Sequence, residues 1–308
     1  MKKALLQLHT AVLLAGFTGV MGRLISLNEG VLVWYRLGIT AFTLLLIFAV
    51  RRKIPRLPPG EIARIAFVGL LVALHLLCFY GSIKYANVSI CLVCFSAGSF
   101  FSALTEPLLL RKRFNAGEAL LSVIGMGGIY IILHFDRRYT TGIILGLAAA
   151  FLSALFTILN KKLTDRHTSQ TITFYELGSG FLCLSLLMPF YLHVFPGSRL
   201  VPSWSDWGYL LLMSWCCTIW AYDLMLNAMK KVSPFTVNLT YNLEPVYGIL
   251  LAFLIFKENR SLGQHFYMGL FLIFLSVAMQ SWQTLRRHRK ERLPQQKAVP
   301  AGEEPATV

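Results

Sequence analysis

Apolar stretches of about 20 residues, separated by short polar segments, cover almost the whole chain. A helix that rises 1.5 Å per residue needs about 20 apolar residues to cross the hydrocarbon core of a bilayer. Ten such stretches can be drawn, at residues 4–22, 30–50, 63–83, 86–110, 116–133, 141–160, 172–194, 207–229, 232–256 and 263–282. The pattern predicts an all-α integral membrane protein with ten transmembrane helices.

The composition supports this class. Hydrophobic residues make up 56% of the 308 positions and charged residues only 14%, which is too little polar surface for a soluble globular protein. The net charge of +15 is compatible with nucleic-acid binding. However, Lys and Arg occur in short clusters between the apolar stretches, which is how membrane topology is encoded. The expected partners are therefore the lipid bilayer and a small molecule, without nucleic acid.

Neither a metal site nor a cofactor is expected. All six cysteines fall within apolar stretches, and the pair with metal-ligand spacing, Cys91 and Cys94, has no second ligand pair beside it. The seven histidines are scattered among spans and loops without a catalytic constellation, and no nucleotide-binding Walker motif occurs. These observations argue against an enzyme and against ATP-driven transport.

The distribution of basic residues predicts the orientation. If the N-terminus is cytoplasmic, the loops on the cytoplasmic side carry 21 Lys and Arg residues, against seven on the opposite side. Because positive charges accumulate in cytoplasmic loops, both termini are predicted to be cytoplasmic.

The chain also repeats itself. The segment Trp-Tyr-Arg-Leu-Gly at 34–38 is matched by Phe-Tyr-Glu-Leu-Gly at 174–178, and Arg113 is matched by Arg260. Two units of five helices are predicted, at 1–139 and 140–285, followed by a basic, unstructured cytoplasmic tail at 286–308. Because five is odd, the second unit must enter the membrane from the opposite face, which gives an inverted repeat with a binding site at the midplane.

The ninth stretch carries the clearest candidate site. Glu244 and Pro245 lie in the middle of residues 232–256, and Asn238 and Tyr241 share their helical face. An acidic residue inside a membrane usually faces a pathway, and proline frees a backbone carbonyl that lipid cannot satisfy. The face is therefore predicted to line a water-accessible cavity. The alternative is a packing kink with Glu244 held by a neighbouring helix. The proposed polar substrate ligands are Glu244, Asn238, Tyr241 and Asn242.

Other intramembrane side chains are candidates for an apolar wall or for coupling and gating. Trp220, Tyr222 and Phe79 are candidates for the wall, although each is also an ordinary packing residue. The coupling or gating candidates are His75, Asp223, Glu106, Arg36 and Glu176. Simpler explanations exist for three of them: a hydrogen-bonded core group for His75, an ion pair with Lys230 or Lys231 for Asp223, and a snorkelling surface group for Glu106. An ion pair of Glu106 with the basic cluster at 111–113 would instead form a cytoplasmic gate. Arg36 and Glu176 occupy matching repeat positions, which favours a structural or gating role.

Taken together, these features resemble the EamA-type transporters of the drug/metabolite transporter superfamily. The resemblance rests on five plus five stretches, the Tyr-Arg pair at 35–36, Glu244-Pro245, and the Lys-Glu-Asn-Arg segment at 257–260. It implies export of amino acids or other small metabolites, through a cavity built mainly from spans 1, 3, 4, 6, 8 and 9. One departure is that Gly98 stands where the first repeat of the family usually has a proline.

The leading hypothesis is a secondary transporter in the cytoplasmic membrane that exports amino acids or related amphoteric compounds by alternating access. A carrier of lipid-linked or phosphorylated sugars is one alternative, although it calls for a cluster of intramembrane cations. A non-transporting scaffold is another, and such a protein would not need Glu244. The oligomeric state, monomer or homodimer, is left open.

Overall fold

The computed structural model describes residues 2–52, 54–111, 116–135, 137–164, 166–229, 240 and 243–297. Within these ranges the regular structure is entirely helical. The helices of the first half are α1 Lys2–Leu24, α2 Glu29–Val50, α3 Pro59–Tyr85, α4 Val88–Phe95, α5 Gly98–Leu110 and α6 Ala116–Phe135. Those of the second half are α7 Thr140–Thr164, α8 Ser169–Val194, α9 Trp204–Ser214, α10 Ala221–Met229, α11 Glu244–Phe256 and α12 Gln264–Lys297.

Helix boundaries follow from local capping chemistry. The side chain of Thr168 accepts a hydrogen bond from the backbone N–H of Thr171 at the start of α8, and Asn87 does the same for Ile90 at the start of α4. Helix α3 begins at Pro59, where the missing amide N–H costs no hydrogen bond.

Among the described residues, six helices are long and apolar enough to cross a membrane, namely those spanning Lys3–Leu24, Glu29–Val50, Pro59–Tyr85, Val88–Leu109, Arg137–Asn160 and Ser169–Val194. Shorter apolar helices cover Val123–Ile132, Glu244–Phe256 and Gln264–Met279. An all-helical chain with this many apolar spans is a multi-pass membrane protein.

Three predicted stretches differ from continuous helices. The fourth bends at Ser96 and Ala97, between α4 and α5, and the eighth contains a π-helical segment, Trp215–Trp220, between α9 and α10. In the ninth, α11 begins at Glu244, so Pro245 occupies the second position of a helix. Proline is tolerated at a helix start because that N–H has no intrahelical partner, so Pro245 opens α11 and does not kink it.

The last helix, α12, continues to Lys297. It therefore extends into the segment 286–308 that the sequence predicts as an unstructured tail, and residues 298–308 lie outside the described part of the chain.

Close helix contacts hold the bundle together, with α3 against α7 and α8, α6 against α12, and α1 against α10 and α11. The α6–α12 contact depends on glycine. A Cβ atom on Gly128 would lie 2.5 Å from the backbone oxygen of Gly269, whereas one on the adjacent Gly127 would meet nothing within 4 Å. Small residues allow membrane helices to approach this closely.

These two glycines form a matched test of the α6–α12 contact. Gly128→Ala must push α12 away because the obstructing atom is backbone, so we expect its thermal unfolding midpoint in detergent to fall by about 5 °C. Gly127→Ala is the control, and it should unfold at or above the wild-type temperature because alanine is the better helix former. Equal midpoints for the two variants would show that the helices are not in close contact.

Candidate functional site

Arg36, on α2, is a cation buried in the bundle. Its side chain donates hydrogen bonds from Nε and Nη2 to Oγ1 of Thr218, at 3.2 and 3.0 Å, and from Nη1 to the hydroxyl of Tyr80. Only 7% of Arg36 is exposed, and no carboxylate among the described residues lies within 4 Å of its guanidinium nitrogens. A buried guanidinium held by neutral hydroxyls retains its positive charge for another partner.

The π-helical segment Trp215–Trp220 brings Thr218 to Arg36. The wider turn lets the Thr218 hydroxyl donate to the carbonyl of Met213, five residues earlier, at 3.2 Å. Tyr80 donates to the sulfur of the same Met213 at 3.2 Å. Such single-turn π segments are frequent at functional sites.

Glu176, on α8, is the acidic counterpart of Arg36 in the sequence repeat. It is 2% exposed, and its Oε1 atom has no hydrogen-bond partner. The side-chain amide of Asn160, on α7, lies within hydrogen-bonding reach of its carboxyl group. Arg36 and Glu176 are thus two deeply buried groups of opposite sign that do not form an ion pair with each other.

Tyr222 connects these groups electrostatically with Glu244. The charges of Glu176, Arg36 and Glu244 all act on the Tyr222 phenol, and the charge of Arg36 acts on the Glu244 carboxyl group. Arg36, Glu176 and Glu244, all singled out from the sequence, therefore lie within electrostatic range of Tyr222. The four residues belong to α2, α8, the start of α11 and α10. We call Arg36, Glu176, Tyr222 and Glu244 the central polar cluster.

His75 and Phe79 lie in a packed aromatic region of α3. Nδ1 of His75 is 2.9 Å from the carbonyl oxygen of Ala149, and its ring contacts those of Phe79, Phe95 and Phe156. His75 is 8% exposed and Phe79 only 4%. This is the environment of a hydrogen-bonded core histidine, the simpler of the two interpretations of His75.

The other predicted site residues are placed differently. Trp220 is 49% exposed, Asp223 is exposed, and Glu106 is partly buried on α5. Asn238, Tyr241 and Asn242 lie outside the described residues.

Sequence reasoning missed a buried carboxylate, Asp206, at the start of α9. Its two oxygens accept hydrogen bonds from the backbone N–H and the hydroxyl of Ser26, both at 2.7 Å. Ser203 donates its backbone N–H at 2.9 Å and its hydroxyl at 2.7 Å, which completes a capping box. Burial raises the pKa of Asp206, but the bonds from Ser26 and Ser203 outweigh burial and lower this pKa to about 2. The Ser-Trp-Ser-Asp spacing at 203–206 was the signal available in the sequence.

A second buried carboxylate, Glu258, was noticed only as part of a family motif. It is 3% exposed and accepts hydrogen bonds from the backbone N–H groups of Val88 and Ser89, at 3.1 and 2.9 Å. The Ser89 hydroxyl and the guanidinium of Arg23 donate to it as well. Glu258 therefore ties the end of α1 and the start of α4 to the end of α11.

A third carboxylate, Glu61, joins the two halves of the chain at another point. Its Oε2 atom is hydrogen-bonded to Nε2 of His167, and its Oε1 atom lies 3.4 Å from Nη1 of Arg166. Nearby, the Tyr175 hydroxyl donates to the carbonyl of Pro55 at 2.8 Å.

Buried charges inside a multi-pass bundle of this kind are typical of membrane proteins with a polar pathway. The sequence profile of the EamA-like transporter family matches this chain twice, over residues 2–134 and 140–282. The protein belongs to the EamA-like transporter family.

Two curated relatives of the chain are named as transport proteins. An uncharacterised transporter of Haemophilus influenzae is 24% identical over 239 residues, which cover 73% of this chain and 74% of that protein. The pseudopaline exporter CntI of Pseudomonas aeruginosa is 27% identical over 183 residues, which cover 57% of this chain and 64% of the exporter. A crystal structure that aligns over 93% of this chain has a TM-score of 0.62 at 15% identity, a similarity of fold alone.

Proposed function

We propose that this protein is a secondary transporter that exports amino acids or related amphoteric compounds across the cytoplasmic membrane. The observation that carries the proposal is the central polar cluster, which holds the buried guanidinium of Arg36 and the partly buried carboxyl group of Glu244. An amphoteric solute presents a carboxylate and an ammonium group. Arg36 is suited to the carboxylate because guanidinium binds it bidentately, and Glu244 is suited to the ammonium.

The proposed architecture is two inverted repeats of five spans, 1–139 and 140–285, with both termini cytoplasmic. Two separate matches to the same family profile support it. So do equivalent helix ends: Asn28 and Thr168 precede α2 and α8 at the 140-residue offset of the sequence repeat. The left-handed residues Arg111 and Lys257, with φ of 52° and 54°, end α5 and α11.

Reciprocal contacts between the repeats support alternating access. Glu61 and Asp206 are each the third residue of their helix, α3 and α9. Glu61 contacts Arg166 in the second repeat, and Asp206 contacts Ser26 in the first. The two partners, Ser26 and Arg166, are again 140 residues apart. In an inverted arrangement the two carboxylates lie on opposite sides of the membrane. When the transporter opens to one side of the membrane, the contact on that side would break and the contact on the opposite side would remain intact.

Metabolite profiling of growth medium tests the function. Cells that overproduce the wild-type protein should enrich one or more amino acids or other zwitterions in the medium. Glu244→Gln, at matched membrane abundance, should lower that enrichment by about tenfold, since it removes the charge that binds ammonium.

Glu291→Gln, in a residue beyond the last predicted span, is the matched control and should export like wild type. Enrichment of a sugar phosphate would contradict the amphoteric substrate and favour the sugar-carrier alternative. Unchanged export by Glu244→Gln would remove Glu244 from the site.

A further inference from the structure

Two buried oxygen atoms on neighbouring side chains have no hydrogen-bond donor. They are Oε1 of Glu176, on α8, and Oδ1 of Asn160, on α7. The amide group of Asn160 is the hydrogen-bonding neighbour of the Glu176 carboxyl group. Buried polar atoms in folded proteins are rarely left unpaired, and each exception requires an explanation.

One additional hydrogen atom would satisfy both oxygens. A proton on Oε1 of Glu176 converts that atom from an acceptor into a donor, and Oδ1 of Asn160 is the acceptor next to it. The Asn160 amide nitrogen then donates to the remaining carboxyl oxygen, Oε2. The acid and the amide form a closed pair with two hydrogen bonds, and no charge remains buried.

We propose that Glu176, paired with Asn160, is a proton-binding site within the membrane, and that release of this proton is coupled to solute export. A proton suits the site better than a metal ion does, because a metal ion needs several ligands. Within the described part of the chain, no group of three His, Cys, Asp or Glu side chains is placed to hold one.

The charged and titratable groups around α8 are compatible with a neutral Glu176. Helices α2, α3, α7 and α10 pack against α8. On α2, Arg36 is hydrogen-bonded to Thr218 and Tyr80. On α3 and α7, His75 and Lys162 are each hydrogen-bonded to a backbone carbonyl, of Ala149 and Leu109 respectively. On α10, Tyr222 is within electrostatic range of Glu176 itself. None of the described ion pairs includes Glu176.

Tyr222 provides a route for coupling. The charge of Glu176 acts on its phenol, as do the charges of Arg36 and Glu244, the proposed ligands of the solute. A change of charge at Glu176 therefore alters the field at the solute site, and a bound zwitterion alters the field at Glu176 by the same linkage. This part of the inference rests on the proposed function.

Infrared spectroscopy of the purified protein in lipid tests the proton site without any substrate. At pH 7 the wild-type spectrum should contain the C=O stretch of a protonated carboxylic acid that is missing from Glu176→Gln. Glutamine can form the same two-bond pair with Asn160, so this variant should fold. In Asn160→Leu the band should move to higher frequency, because its hydrogen-bond partner is gone. A wild-type band that survives in Glu176→Gln, or no band at all, would overturn the proton site.

Transport in proteoliposomes tests the coupling, with a mixture of radiolabelled neutral amino acids as the probe. Wild-type protein should accumulate label when a pH gradient is imposed, and should exchange label without a gradient. In Glu176→Gln the gradient-driven accumulation, divided by the exchange rate of the same variant, should fall at least tenfold below the wild-type ratio. Equal accumulation by both proteins would contradict coupling through Glu176. Absence of any amino-acid transport by the wild type would instead overturn the proposed function, and the infrared result would still decide the proton site.

Discussion

Arg36→Leu is expected to reduce export of the amphoteric solute by about 100-fold, which corresponds to about 3 kcal/mol of lost binding. The guanidinium is buried and bonded only to hydroxyl groups, so its charge is available to a solute carboxylate. Leucine removes that charge and leaves the hydroxyls of Tyr80 and Thr218 without their donor. The measurement is the initial rate of efflux from preloaded cells, normalised to protein in the membrane.

Two further variants separate binding from packing. Arg36→Lys keeps the positive charge but cannot form a bidentate contact, so we expect an intermediate loss of about tenfold. Thr218→Val removes a hydroxyl that orients the guanidinium while it preserves the shape of the side chain, and export should fall severalfold. Arg199→Lys, in an exposed loop, is the control. Normal export by Arg36→Leu would show that Arg36 is structural. If that variant is not recovered in the membrane, unchanged export by Thr218→Val would argue that Arg36 does not bind the solute.

Asp206→Asn is expected to lower the thermal unfolding midpoint in detergent by about 5 °C at pH 7. The carboxylate accepts four hydrogen bonds from Ser26 and Ser203, and an amide has only one acceptor oxygen. Loss of these bonds frees the connection between α1 and α2 from α9.

The stabilisation lost in Asp206→Asn is expected to depend on pH. The folded pKa of Asp206 is about 2, below its ordinary value of 3.8. A carboxylate with a lowered pKa contributes its full stabilisation above the ordinary value, and this contribution disappears as pH falls through the folded value. The difference in midpoint between wild type and Asp206→Asn should therefore be constant from pH 7 to about pH 5 and shrink from about pH 4 towards pH 2. A difference that persists at pH 2 would show that the carboxylate charge is not what stabilises the contact.

The membrane class and the family could be predicted from local features of the chain. Hydropathy over a 20-residue window depends only on neighbouring residues, and motifs such as Glu244-Pro245 are contiguous. The buried acid Glu176 could likewise be found, because a carboxylate within an apolar stretch is conspicuous wherever the stretch packs.

Other parts of the site depend on backbone irregularities that hydropathy does not encode. The π-helical turn at Trp215–Trp220 shifts the register of the eighth stretch and presents Thr218 to Arg36, and α11 begins at Glu244, where a continuous helix was expected. Both change which side chains share a face, because a helical face is defined only while the 3.6-residue period continues.

The sequence by itself determined a basic, strongly apolar chain that repeats its pattern and carries acids and an arginine inside the membrane. Tertiary structure alone decided which hydrogen-bond partners the buried charged groups have. Arg36 reaches Thr218 across 182 residues, and Asp206 reaches Ser26 across 180. The physical reason is that hydropathy and helix period are local properties, whereas hydrogen bonds between distant residues exist only after the helices have packed.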